Sequence, residues 1–163
     1  MMFMNKAYLL TGGNIGDRQG FLQQAKGLLE QHCGNITAIS GIYETAAWGN
    51  TDQAAFLNQA LELETNLNAK QLIRRILKIE KMMGRERKEK YGPRNIDIDI
   101  LLFNDEIYNI SFLKIPHPEL QNRRFALLPL TEIAGDLIHP VLKKSIKNLL
   151  NDCPDTLAVK KIT

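Results

Sequence analysis

The chain has 163 residues, 44% of them hydrophobic and 24% charged, with a formal net charge of +3. These proportions exclude a disordered polymer, and the length fits one compact domain, residues 1–163, that buries roughly 70% of the surface its unfolded chain exposes. The segment Gly84 to Arg94 (GRERKEKYGPR) alone holds five basic and two acidic residues; the rest is near neutral, which suggests a local anionic ligand and not a nucleic-acid surface.

The apolar runs are too short to span a membrane, and the start MMFMNKAYLL lacks the pattern of a secretory signal. A cytoplasmic protein is expected, with Met4 as an alternative start. Cys33 and Cys153 are far apart and fit neither a zinc site nor a disulfide framework.

In chain order, Lys6 to Thr11 reads as a strand, Gly12 to Gly16 as a turn, and Asp17 as the cap of a helix carrying Phe21, Leu22, Ala25, Leu28 and Leu29. Asn35 to Thr45 alternates and is β-branched, as a second strand. Ala46 to Ala55 is a polar connection containing Trp48, and Phe56 to Leu63 is a third strand. Asn68 caps a helix to about Met83, ended by Gly84. A loop, Arg85 to Asn95, leads into a strand over Ile96 to Phe103. Asn104 and Asp105 turn into Glu106 to Ile110. Helical pieces follow at Arg124 to Ile133 and Lys143 to Asn151, with an edge strand near Leu157 to Lys161. The order strand, helix, strand, strand, helix, strand is that of an α+β ferredoxin-like sandwich, an antiparallel sheet with helices packed on one face.

The densest chemistry lies in Asn95-Ile-Asp-Ile-Asp-Ile-Leu-Leu-Phe103. Alternation places Asp97 and Asp99 on one face, about 7 Å apart, and Ile98, Ile100 and Leu102 on the other. At an effective dielectric of 20 two such charges repel by roughly 2 kcal/mol. A divalent cation reverses that sign, and magnesium binds through one or two carboxylates plus phosphates. Two solvated aspartates fit the same spacing. Arg85, Arg87, Lys88, Lys90 and Arg94 precede the pair, as in a metal–polyphosphate site; a solvated loop paired with Glu86 and Glu89 is the alternative. Glu80 falls between Ile76 and Ile73 on an apolar helix face and needs a partner there. His117, between two prolines, either donates to a phosphate or is inert. Asn58, mid-strand beside Phe56, either reads the edge of a flat heterocycle or is merely exposed. Gly12 to Gly16 lacks the Walker and GxGxxG patterns.

Together these segments resemble the hydroxymethyldihydropterin pyrophosphokinase family. The run Gly84 to Phe103 is similar to its signature GRxR…(W/Y)GPRxxDxDIxxF, and Phe56-Leu-Asn58, Pro116-His117 and Asn122-Arg123-Arg124-Phe125 follow in the family's order. The resemblance implies transfer of a diphosphoryl group from ATP to 6-hydroxymethyl-7,8-dihydropterin with two magnesium ions held by Asp97 and Asp99. It implies that Arg85, Arg87, Arg94, Asp97 and Asp99 are catalytic, that Glu80, Arg87, Tyr91, Arg94, Ile100, His117 and Arg123 bind the nucleotide, and that Thr45, Phe56, Asn58, Tyr91, Asp97 and Phe125 bind the pterin. A monomer that binds neither nucleic acid nor membrane is expected. Gly13, Ala46, Trp48 and Tyr91 stand where the family more often has serine, proline, a smaller aliphatic residue and tryptophan. A sheet-based nucleic-acid binder and a two-metal nuclease or phosphatase are the competing classes; in the first, two aspartates would repel a phosphate chain, and the second would show more acidic ligands.

Overall fold

A computed structural model describes residues 4–47, 53–85 and 92–163. Trp48, Arg87, Lys88, Lys90 and Tyr91 lie outside the described residues. The strands β1 (Asn5–Gly13), β4 (Phe56–Thr65) and β5 (Asp97–Phe103) form the centre of the sheet, with β2 (Asn35–Ile39), β3 (Tyr43–Thr45) and β8 (Val159–Lys161) beyond them. The order is β5-β1-β4-β3-β8, β2 also pairs with β4, and every pairing is antiparallel. If β2 and β3 are counted as one interrupted strand, this is the fourth-first-third-second order of a ferredoxin-like sheet.

Local signals placed most elements correctly. Asp17 accepts a hydrogen bond from the Gly20 amide and starts α1 (Arg18–His32). Asn68 and Gln71 form a capping box on α2 (Ala69–Met82), and Gly84 ends that helix region at φ 81°. The predicted second strand is broken because three residues, Ser40 to Ile42, face only two of β4 between the pairs Ile39–Leu61 and Tyr43–Asn58. The Ser40 hydroxyl fills the gap by accepting from the Ala60 amide at 2.9 Å.

A bulge changes the expected faces of β5. Tyr8 pairs with Leu102 and Leu9 with Ile100, which leaves Leu101 as the extra residue. Ile98 and Ile100 therefore share a core with Leu9, Leu29, Leu61 and Ile76 under α1 and α2. Leu102 does not join them: with Leu101, Tyr8 and Leu10 it packs on the other face. That second face is also covered, by α3 (Arg124–Ala134) and α4 (Ile146–Asn151) through Leu127, Leu130, Ile146 and Leu149. The helices thus occupy both faces of the sheet.

Three boundaries also differ. Gly12 and Gly13 belong to β1 and not to a turn. The segment after Asn104 does not fold back on β5; β6 (Tyr108–Ile110) pairs with β7 (Leu113–Ile115) in a separate hairpin. The last helix starts at Ile146 because Lys143 has φ 60° and Ser145 is its cap. Both cysteines are free thiols, and no helix among the described residues is long and apolar enough to cross a membrane.

Candidate active site

The register of the sheet builds the site. Asp97 pairs with Gly12, Gly12 with Asn58, and Asn58 with Tyr43, so these four residues form one row on one face. Directly paired residues point the same way. Gly12 contributes no side chain to the row, and the vacated space is taken by Asn58: a Cβ on Gly12 would overlap Asn58 Oδ1 and stand 2.9 Å from the Leu57 carbonyl. Asn58 is 5% exposed, and among the described residues its amide makes no hydrogen bond. That amide is therefore available to the donor and acceptor edge of a bound ligand.

Asp97 and Asp99 share this face, half-buried. Asp97 Oδ1 accepts from Arg85 Nη2 at 3.3 Å and Oδ2 from Arg94 Nη1 at 3.1 Å. Among the described residues Asp99 makes no such guanidinium contact. Burial, and then the charges of Asp97 and Glu80, push its pKa up to about 8, against the opposing pull of Arg123 and Arg94. The pair is therefore short of positive charge at Asp99. A hard cation suits such a donor set, since magnesium takes one or two carboxylates and completes its shell with phosphate and water. Among the described residues no cluster of three or more His, Cys, Asp or Glu competes with it.

Arg94 is held from several sides. Its Nε and Nη2 donate to the Gly92 carbonyl, and its guanidinium stands 5.4 Å over the Phe56 ring. Its backbone exchanges two 2.9 Å hydrogen bonds with Asn14, through the Asn14 amide and Oδ1. Asn14 Nδ2 donates in turn to Gln53 Oε1 and the Ala54 carbonyl. One buried side chain thus joins the segments that flank the site on either side. Nothing in the local sequence marked Asn14; an amide among glycines was the available signal, but its partners lie 39 to 80 residues away. Gly13 has a similar local purpose, because a Cβ there would overlap the Asn95 carbonyl and push the Arg94–Asn95 backbone away.

The remaining predicted residues are distributed as follows. Glu80, 2% exposed, accepts from the Ile98 amide at 2.8 Å, which ties α2 to β5. Ile100 is 5% exposed on the opposite face, so any ligand contact must come from its backbone. Thr45 is buried, and its hydroxyl donates to the Ala158 carbonyl. His117 accepts the Glu119 amide at Nδ1, which leaves the proton on Nε2. Burial and then the Arg123 charge lower its pKa to about 4, so it is a neutral donor at physiological pH. Arg123, at the start of α3, stands 5.7 Å over the Phe125 ring, and its charge is felt at both Asp99 and His117. The structure thus brings together Asp97, Asp99, Arg85, Arg94 and Phe56, and a second group of His117, Arg123 and Phe125. His139 stays structural; its Nδ1 accepts the Val141 and Leu142 amides.

Residues 8–135 match the family model of 7,8-dihydro-6-hydroxymethylpterin-pyrophosphokinase. The 2-amino-4-hydroxy-6-hydroxymethyldihydropteridine pyrophosphokinase of Aquifex aeolicus is 44% identical over 144 residues, covering 88% of this chain and 89% of its own. That of Bacillus subtilis is 48% identical over 130 residues, with 79% and 78% covered. Among solved structures, wild-type Plasmodium falciparum HPPK-DHPS with pteroate superposes with a TM-score of 0.73 at 20% identity, covering 92% of this chain but 42% of that one. The last comparison bears on the fold alone.

Proposed function

This chain belongs to the 7,8-dihydro-6-hydroxymethylpterin-pyrophosphokinase family, and from that premise we propose how its residues transfer the diphosphoryl group of ATP to the hydroxymethyl group of 6-hydroxymethyl-7,8-dihydropterin, with release of AMP, in folate biosynthesis. The observation that carries the residue assignment is the row of Asp97, Gly12 and Asn58 on one sheet face, an acidic end beside an unspent amide.

Asp97 and Asp99 would hold two magnesium ions. When bound, these ions screen the triphosphate and lower the pKa of the attacking hydroxyl. Phosphoryl-type transfer asks the protein mainly for position and charge. Arg85 and Arg94, both on Asp97, supply the positive charge for the phosphate oxygens. Arg87 and Tyr91, outside the described residues, are assigned to the nucleotide on the family resemblance alone. His117 donates from Nε2, and Arg123 adds charge; Glu80 and the Ile100 backbone border the nucleotide. Phe56 and Phe125 stack on the pterin ring, Asn58 satisfies its donor and acceptor edge, and Thr45, its hydroxyl already committed to Ala158, offers backbone groups. No residue is assigned as general base. The single domain acts as a cytoplasmic monomer on these two small molecules.

The test is AMP formation from ATP with magnesium and the dihydropterin together. AMP is expected only when all three are present; its absence with folded protein refutes the proposal. A second result concerns specificity. Gly12→Ala should raise the pterin KM about tenfold, the worth of one misplaced hydrogen-bonding amide, while the ATP KM stays near its original value. Steady-state kinetics in each substrate decide this, and an unchanged pterin KM would remove Asn58 from the binding role.

A further inference from the structure

The segment after α4 runs back across the molecule and touches both sides of the proposed pterin site. Asp155 Oδ2 accepts from the Arg124 amide at 3.1 Å, and Oδ1 from the Leu157 amide at 3.0 Å. Ala158 takes the Thr45 hydroxyl, and β8 then pairs with β3, Val159 opposite Thr45. Glu132 of α3 binds the Gly41 amide, the Tyr43 hydroxyl and Lys161 Nζ, which ties α3 to the β3 edge.

The start of α3 explains why such a segment is needed. Its N-cap is Arg123, extended at φ −122° and ψ 99°, with no side-chain capping bond. Serine, threonine, aspartate and asparagine are preferred at that position because they accept a hydrogen bond from the first turn. Arginine carries only donors, and its charge opposes the positive end of the helix. Arg124 adds a second positive charge there. The missing acceptor and the missing negative charge both arrive from 31 residues away, on Asp155.

We infer that Asp155 is a positioning residue for the reaction: it supplies the cap that Arg123 cannot, and so fixes where Arg123 and Phe125, the neighbours of Arg124 on either side, stand in the site. The inference rests on the roles given to Arg123 and Phe125 above. Those two side chains are in contact, guanidinium over ring, so fraying of the first turn displaces them together. Its part is exerted through the Arg124 amide.

The test compares Asp155→Ala and Asp155→Asn with Ser145→Ala, which removes the same kind of cap from α4. Full-length proteins are assayed with magnesium, ATP and the dihydropterin, and rates are normalised to folded protein. Asp155→Ala should raise the pterin KM about fivefold and lower kcat. Asp155→Asn should move both constants the same way but less, since one of two accepting oxygens remains. Ser145→Ala should lower the melting temperature and leave both constants in place. Unchanged constants in both Asp155 variants, a loss explained by the folded fraction alone, or the same shift in Ser145→Ala would each overturn the inference. If Asp155→Ala does not fold, Asp155→Asn decides by the same criteria. A wild-type chain that forms no AMP would instead overturn the functional reading, so the two failures are distinguishable.

Discussion

Asp97→Ala and Asp99→Ala are each expected to lower kcat by about a thousandfold or more, the scale of losing a main electrostatic element of a phosphoryl-transfer site. Their effects on stability should differ, because the two carboxylates have different surroundings. Asp99 is held against burial and two neighbouring negative charges, which is why its pKa rises to about 8. Removing it relieves that tension, so in magnesium-free buffer Asp99→Ala should melt at or above the wild-type temperature. Asp97 binds Arg85 and Arg94, whose side chains are only 8% and 15% exposed. Its removal takes a partner from both guanidiniums in a poorly solvated place, and Asp97→Ala should melt lower. Added magnesium should stabilise the wild type and neither variant, since only a protein that binds the ion gains by mass action. AMP release and thermal melts with and without magnesium measure both effects. Turnover retained in both variants would refute the metal assignment.

How far the site could be read in advance depended on the range of the interactions. Asp97 and Asp99 were placed on one face by alternation alone, a local property of any strand. Leu102 was misplaced because the bulge at Leu101 is fixed by the register with β1, some 90 residues earlier in the chain. The break at Ser40 has the same origin, three residues opposed to two on β4. Arg123 and Phe125 stand out as a motif, yet the bond from the Arg124 amide between them to Asp155 depends on a segment whose local pattern shows only a short strand. Asn14 reads as part of a turn because all its long-range partners arrive from two other segments. Caps, turns and helix faces are written locally; the cross-connections that aim Arg94, Asn58 and Arg123 are not.

The loop arginine Arg85 distinguishes binding from chemistry. In the structure its guanidinium is nearly buried and donates to Asp97. A phosphate that takes the Nη2 donor has to displace that carboxylate, so part of the attraction to ATP is offset by the pair given up. Ground-state binding of ATP should then change only about threefold in Arg85→Ala. Charge that develops during transfer has no such competitor once Asp97 is neutralised, and an arginine aimed at it contributes roughly a hundredfold or more to rate. Arg85→Ala is therefore expected to lower kcat by about a hundredfold. Arg85→Lys should recover little of this, because a lysine ammonium is a point charge and cannot bridge two oxygens as the planar fork does. ATP affinity by calorimetry in the absence of pterin, set beside kcat, separates the two contributions. A variant with a normal rate and weak ATP binding would show that Arg85 holds the nucleotide in the ground state, and its pairing with Asp97 would then be a resting contact with no part in transfer.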